Sequence, residues 1–568
     1  MAMVAQRGPW YGLGMAEGPR SPRISGIPLK NLARVGRTKL GGLALQRVLR
    51  ADLKIDRLDA LPDELRGDVP LDTNPHPGRP ARAVASEHRK DPAPGWAPSM
   101  SAFASAYRSG QTTPTEVVTR AFAEAKRLAT LAPSVGPIVE YAEAQALAEA
   151  EASTQRWRAG RPIGLFDGVP WLVKEQTAVR GLARRLGTAF IDASPQPEDA
   201  TAVARIRALG AIVLGTSPMT ELGMTPTGAN AKRTMPRNPH DPAYLAGGSS
   251  TGSGVGVATG LVPIALGVDG GGSIRIPAAL NGVFGLKPTW GRVSRSGDGA
   301  GGSVAHVGPL AGSTLDLAHA LEAMSGVDRN DPQTFAAPRR EAGSFVAAVG
   351  RGVKGLVIGV PESEWEDADS QVQRAGRAAI AELEKEGAIV TPIRLKLAKY
   401  AAAIGYVTIA VEARSALRTE WREHAKEMSA DLQVSFAALD AFTALEYVDV
   451  ARLRSGLRRE MAHVFGTVDL LALPSASVAT KVTEAEMQSG FLDTKVLDAL
   501  CRFMFLGNLT GLPALSAPVG ADTAGMPIGL QLMGDAWDEA TVFAAAGHLE
   551  RSGLAVPRRP RVTATILG

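Results

Sequence analysis

Between Ala246 and Gly302 the chain carries 17 glycines in 57 residues. Glycine inside a helix or strand costs roughly 0.5–1 kcal/mol relative to alanine, so this density needs a reason. Low complexity does not supply one, because apolar runs of strand length interleave with the glycines. Backbone drawn tightly around one point does. The segment reads Ala246-Gly247-Gly248-Ser249-Ser250-Thr251-Gly252-Ser253-Gly254, then Gly267-Val268-Asp269-Gly270-Gly271-Gly272-Ser273-Ile274-Arg275, and closes with Gly282-Val283-Phe284-Gly285-Leu286-Lys287-Pro288.

A serine hydroxyl is a poor nucleophile and needs a base beside it. Glycines ahead of a serine let several N–H groups converge, as an oxyanion hole requires. Gly270, Gly271, Gly272 and Ser273 fit that description, and equally a glycine turn with an incidental serine. Other glycine motifs fail. Gly252-Ser253-Gly254 begins a dinucleotide loop but Val257 ends it, no Gly-Lys-Ser/Thr follows, and no His-Glu-x-x-His occurs. Gly248-Ser249-Ser250-Thr251-Gly252 does match Gly-x-Ser-x-Gly, the nucleophile elbow of α/β-hydrolases, with Ser250 as nucleophile. Its base would come from His306, His319, His424, His463 or His548. Of these only His306 has a loop context, and His548 is expected on the surface of a helix.

Strand-like apolar runs alternate with helical patterns. Strands are predicted over 168–174, 211–214, 262–268, 282–286, 356–360, 389–393, 468–473, 514–518 and 527–533. Helices are predicted over 100–108, 115–129, 140–157, 200–209, 314–324, 371–386 and 539–550. This alternation argues for an α/β fold with a mixed β-sheet core covered by helices on both faces. Residues 395–465 are helix-prone almost throughout and read as a helical insert. Residues 61–97 are rich in Pro, Asp, Arg and Gly and read as a linker.

The net charge of +5 is too weak to argue for nucleic acid, and none is expected as a partner. Residues 1–60, however, hold eleven Lys and Arg against four Asp and Glu, leaving about −2 for the rest. Apolar residues from Leu29 to Leu53 fall at near-helical spacing there, interrupted by Gly36, Gly41 and Gly42. A helical pair packed on the main body is expected, and a membrane-surface or partner-binding arm is the sharper alternative. The single cysteine, Cys501, excludes an internal disulfide and a cysteine-based zinc site. With no signal-peptide-like or membrane-spanning run, a cytoplasmic location is expected.

The glycine-rich segment resembles the signature of the amidase signature enzymes, nearly without a gap from Gly247 to Gly297. The resemblance continues upstream at Gly168-Val169-Pro170-Trp171-Leu172-Val173-Lys174-Glu175. Downstream it takes in Asn508-Leu509-Thr510-Gly511-Leu512-Pro513 and Gly529-Leu530-Gln531-Leu532-Met533-Gly534. It spans about residues 99–555, and it places the catalytic domain at 98–568, behind a basic extension and linker at 1–97.

The resemblance implies the amidase-signature fold and hydrolysis of linear amides, with no metal or cofactor. It assigns Ser273 as nucleophile, Lys174 as base, and Ser249, 24 positions before Ser273, as a bridging serine after a cis peptide bond. Gly270, Gly271, Gly272 and Ser273 would form the oxyanion hole. Ser250 would support the network, and Asp269 and Arg275 would pair beneath the loop. Burial beside Leu172 and Val173 would favour the neutral amine of Lys174. Val268 and Gly270 depart from the family, where hydroxyl or larger residues are common, and are expected to loosen the loop. Residues 219–240 and the helices of 395–465 are expected to line the pocket. The partner is a small-molecule amide, and a homodimer is compatible. The rivals are the glutamine-hydrolysing component of a tRNA-dependent amidotransferase, the Ser250 esterase, and a binding module without catalysis.

Overall fold

The computed structural model describes residues 22–67, 75, 77–78, 95–299, 301–440 and 442–567. Thirteen strands occur among them. Two, β1 (Ile24–Ser25) and β11 (Phe491–Leu492), form a small antiparallel pair that ties the start of the described chain to the body. The rest form one 11-stranded sheet: β2 (Glu140–Tyr141), β3 (Pro170–Lys174), β4 (Ile212–Ser217), β5 (Ile264–Asp269), β6 (Phe284–Lys287), β7 (His306–Ala311), β8 (Val357–Pro361), β9 (Ile389–Ile393), β10 (Leu470–Pro474), β12 (Ala514–Ala521) and β13 (Pro527–Gly534). The order is β2-β4-β3-β5-β7-β6-β12-β13-β10-β8-β9. Strand β3 is parallel to β4 and β5, and β8 is parallel to β9 and β10, while the middle is antiparallel.

Both faces of this sheet are covered, and the strands are apolar on both sides for that reason. In β10, Leu470 and Ala472 enter one core cluster, while Leu471 and Leu473 enter the other. The first core is closed by helices such as Pro114–Ala129, Thr314–Met324 and Glu539–Arg551. The second is closed by Ala401–Ala416, Ala444–Phe465 and Phe505–Thr510. Caps set the helix starts: Thr113 and Glu116 form a capping box ahead of Pro114–Ala129, and Thr443 and Glu446 do the same for Ala444–Phe465.

The predicted strands all appear, with shifted ends. Strand β7 is an addition to them: His306-Val307-Gly308-Pro309-Leu310-Ala311 carries a glycine and a proline that read as a turn. His306 therefore opens a buried strand rather than sitting in a loop. His548 is also buried, against expectation, because the helix Glu539–Arg551 is enclosed nearly all round. Residues 395–465 form several helices, including Ala401–Ala416, Arg418–His424, Ala430–Leu439 and Ala444–Phe465. Apolar residues of Ala401–Ala416 and Ala444–Phe465 join the second core, while Met428, Leu432 and Phe436 form a small separate cluster with Leu222.

The basic N-terminal stretch folds as two helices, α1 (Gly26–Gly36) and α2 (Lys39–Asp52), broken at Arg37-Thr38, where Thr38 caps α2. Leu29, Ala33 and Leu45 pack on Val434 and Ala438 of the helix Ala430–Leu439. Gly41 and Gly42 lie inside α2 and do not end it. A Cβ on Gly41 would come within 2.1 Å of the Val35 carbonyl, so glycine lets the helices approach. The expected linker lies largely outside the described residues. No helix among the described residues is long and apolar enough to cross a membrane.

Candidate active site

Strands β3 and β5 run parallel and in contact, so their C-terminal ends deliver Lys174 and Asp269 to the same edge of the sheet. Ligand sites in open α/β sheets gather at this edge. Between β4 and β5 the chain makes the turn Gly247-Gly248-Ser249-Ser250 and then the buried helix Thr251–Ala258. The Gly248–Ser249 peptide bond is cis. A Cβ on Gly248 would lie 2.9 Å from Thr220 and 3.0 Å from the Gly228 nitrogen, so this turn admits only glycine.

The structure brings Lys174 and Ser249 together. Lys174 Nζ lies 2.7 Å from Ser249 Oγ and also donates to the Val268 carbonyl at 3.1 Å. Both side chains are buried. Burial pushes the Lys174 ammonium down from the ordinary 10.5 to about 7, against the opposing pull of Asp298 and Asp269. A neutral amine is therefore populated near neutral pH.

Ser273 is partly exposed and, with Gly271, lines a cavity. Its carbonyl accepts from the Ser250 N–H at 3.2 Å, which pins the two serine turns to each other. Among the described residues no hydrogen bond closes the step between the Ser249 and Ser273 hydroxyls.

The expected oxyanion hole needs one correction. The Gly272 N–H donates to Asp269 Oδ1 at 2.7 Å, so it points into the protein. The N–H groups of Gly270, Gly271 and Ser273 have no acceptor among the described residues and remain as donors. Gly272 has another duty: its φ of +114° reverses the loop, and a Cβ there would meet Ile276 and Met504 at 2.7 Å.

Asp269 and Arg275 do pair beneath the loop, at 2.9 and 3.0 Å. Both are fully buried, and the pair is completed by neighbours. Arg275 also donates to the Met504 carbonyl (2.9 Å), Gln531 Oε1 (2.5 Å) and Asn508 Oδ1 (2.6 Å), which uses all five guanidinium hydrogens. Asp269 accepts in addition from Gly272, Ile274 and Asn508. Burial opposes its charge, yet Arg275 outweighs burial and holds its pKa below the usual carboxylate range. Sequence patterns assign no role to Asn508 or Gln531. The available signal was a glutamine in the middle of an apolar strand, which folding tolerates only with partners.

Among the described residues Ser250 Oγ hydrogen-bonds to the Val268 backbone, accepting from its N–H at 3.2 Å and donating to its carbonyl at 3.3 Å. Among the described residues no histidine hydrogen-bonds to it: His306 Nδ1 faces the Val304 carbonyl and its ring stacks edge-on against Trp290. The esterase arrangement is therefore absent among the described residues. Val268 contributes through its main chain while its side chain fills the core, so the missing hydroxyl leaves no gap. A Cβ on Gly270 would meet only the tip of the Ile409 side chain, at 3.3 Å. Glu175, behind Lys174, accepts from Arg233 at 2.6 Å. Thr177 holds Asp298 at 3.2 Å, a placement sequence patterns did not reveal. Among the described residues no cluster of His, Cys, Asp or Glu is placed to hold a metal ion.

The cavity runs outward from Ser273. Its walls come from 221–230, from Tyr406, Ile409 and Leu432, from Phe491, Leu497 and Phe505, and from Gln46, Leu49, Arg50 and Leu53 of α2 and its end. Its surface is mostly apolar.

Comparison with known proteins identifies relatives of this chain. The Amidase family model matches residues 118–543. A fatty acid amide hydrolase of Medicago truncatula is 30% identical over 584 residues, covering 97% of this chain and 96% of that protein. A glutamyl-tRNA(Gln) amidotransferase component of Maridesulfovibrio salexigens is 34% identical over 70% of this chain and 85% of its own. Among solved structures, the peptide amidase of Stenotrophomonas maltophilia superposes with a TM-score of 0.69 at 27% identity, covering 81% of this chain and 98% of that one. The chain belongs to the amidase signature family and is an amide hydrolase.

Proposed function

We propose that this enzyme hydrolyses amides with a long apolar acyl chain, using Ser273 as nucleophile, Ser249 as proton relay and Lys174 as base. The observation that carries the reading is a mostly apolar cavity that has Ser273 in its wall, directly outside a buried amine hydrogen-bonded to Ser249. Likeness to a fatty acid amide hydrolase along nearly the whole chain, hairpin included, supports it. The amidotransferase component matches a smaller share of the chain.

In this mechanism Ser273 Oγ adds to the amide carbonyl carbon. Its proton moves to Ser249 Oγ as the Ser249 proton moves to the neutral Lys174 amine. The N–H groups of Gly270, Gly271 and Ser273 hold the developing oxyanion. Ser249 then hands a proton to the departing amine and regains one from Lys174, and the C–N bond breaks. Water attacks the acyl ester by the same relay and releases the acid.

The test joins a variant to a substrate series. Ser273→Ala should lower amide hydrolysis on the order of a thousandfold or more, and retained activity would reject the nucleophile. For the wild type, kcat/KM should climb with acyl length by roughly fourfold per methylene buried, from about 0.8 kcal/mol each. A flat series would reject the acyl assignment and leave the serine chemistry standing.

A further inference from the structure

Among the residues that wall the cavity, Arg50, Glu221, Asp431 and Asp493 carry a formal charge. Arg50 is paired with Asp56 and Glu446, and Asp493 with Arg23. Glu221 and Asp431 have no such partner among the described residues. Glu221 is only 3% exposed. Its Oε2 accepts from the Ser429 N–H at 2.8 Å, and its Oε1 has no hydrogen-bond partner among the described residues. Asp431, in the first turn of the helix Ala430–Leu439, likewise leaves Oδ1 without one. Burial pushes both carboxyl groups above their ordinary values, and the charge of Asp431 pushes Glu221 further, while Lys232 pulls back more weakly on each. Buried carboxylates without a cation are costly to keep.

Their position in the cavity ties them to the chemistry. Thr225, Thr227, Ser429 and Ser435 stand with the two carboxylates on the wall segments 221–230 and 429–435, whereas Ile409 and Phe505 make an apolar stretch elsewhere. The first segment also reaches the proton relay. Leu222 and Gly223 follow Glu221 with φ of +52° and +72°, and a Cβ on Gly223 would lie 3.4 Å from Ser249 Oγ. Ser249 hands its proton to the departing amine in the mechanism above. The amine half of the substrate therefore lies toward this segment.

Two unpaired carboxylates ask a ligand for positive charge as well as hydrogen. A hydroxyl can donate one hydrogen bond, whereas an ammonium has three donors and a charge, so it answers both oxygens at once. Among the described residues no third His, Cys, Asp or Glu joins the pair, as a metal ion would ask. We infer that Glu221 and Asp431 form a subsite for an ammonium group on the amine half, so that the enzyme cleaves amides of a diamine whose free end is protonated. The long acyl half rests on the fatty-amide reading above; the cation subsite rests on the two carboxylates.

The test is kcat/KM for amides of one acyl group with diaminobutane, aminobutanol or pentylamine, which differ only at the far end of the amine. With a decanoyl group, the diaminobutane amide should exceed the pentylamine amide on the order of thirtyfold, the size of hydrogen bonds to a charged group. The aminobutanol amide should fall between them. Glu221→Gln with Asp431→Asn should bring the ratio of diaminobutane to pentylamine amide to about one. That ratio is taken within each protein, so a general loss of activity does not enter it, and if the double variant fails to fold the wild-type series decides. Repeating the series with an acetyl group separates the two readings: a ratio that persists while rate ignores acyl length would reject the long acyl chain and leave the subsite standing. Equal rates on all amines, as expected if the two carboxyl groups satisfy each other with a shared proton, would overturn the subsite. So would a preference for the aminobutanol amide over the diaminobutane amide, or a wild-type ratio retained in the double variant.

Discussion

The polar network under Ser273 and the N-terminal hairpin bound the same cavity and are built by opposite means. Below the loop, Arg275 spends all five N–H groups on Asp269, Met504, Gln531 and Asn508, and nothing there reaches solvent. The hairpin rests on a few apolar contacts and on partly exposed ion pairs such as Arg23–Asp493, each contributing about 0.2–1 kcal/mol. Chemistry needs donors fixed to fractions of an ångström, and a saturated buried network supplies that. A wall that admits a substrate needs to yield, and a lightly held helix pair can open at small cost.

The sharpest way to break this contrast is at the base. Lys174→Met should lower kcat/KM roughly a thousandfold while the fold persists, since an apolar side chain suits a fully buried site. In the wild type, kcat/KM should rise with pH through about 7, where Lys174 loses its proton. The folded pKa lies below the ordinary 10.5, so between these two values the unfolded chain binds more protons. Wild-type stability should therefore rise with pH across that window, and the Lys174 contribution to the slope should vanish in Lys174→Met. Denaturant unfolding at several pH values checks this.

Next in size is the support. Arg275→Met leaves Asp269 buried without its cation and should cost about 3–5 kcal/mol of stability, read as a lower denaturation midpoint. A loss under 1 kcal/mol would mean that the network is not the rigid half of the pair. The hairpin should respond most mildly. Leu49→Ala should reduce kcat/KM about tenfold for a long-chain amide and leave a short amide untouched. An equal loss on both would show that α2 shapes the catalytic centre and not only the wall.

Much of the layout was legible because strands buried on both faces write themselves as apolar runs. Leu470-Leu471-Ala472-Leu473 feeds two cores at once and could hardly be anything else. Strand β7 was hidden by Gly308 and Pro309, whose turn chemistry is overridden by the pairing partners β5 and β6. At the site, Lys174, Ser249, Ser273, Asp269 and Arg275 were named from the resemblance to the amidase signature enzymes, whose motifs stand in order along the chain. The occupied Gly272 N–H was not foreseen, because a run of three glycines does not say which amide turns inward. Asn508, Gln531 and Asp298 reach the site only through tertiary packing, from sequence positions whose spacing to Ser273 carries no period.

The central claim is that Ser273, wired to Lys174 through Ser249, is the residue that takes the acyl group. Peptide mass spectrometry after treatment with a serine-directed alkyl fluorophosphonate tests it most directly. The account predicts one adduct, on the peptide bearing Ser273, lost in Ser273→Ala and strongly slowed in Lys174→Met. An adduct on Ser250, or labelling at Ser273 that is indifferent to Lys174, would contradict it.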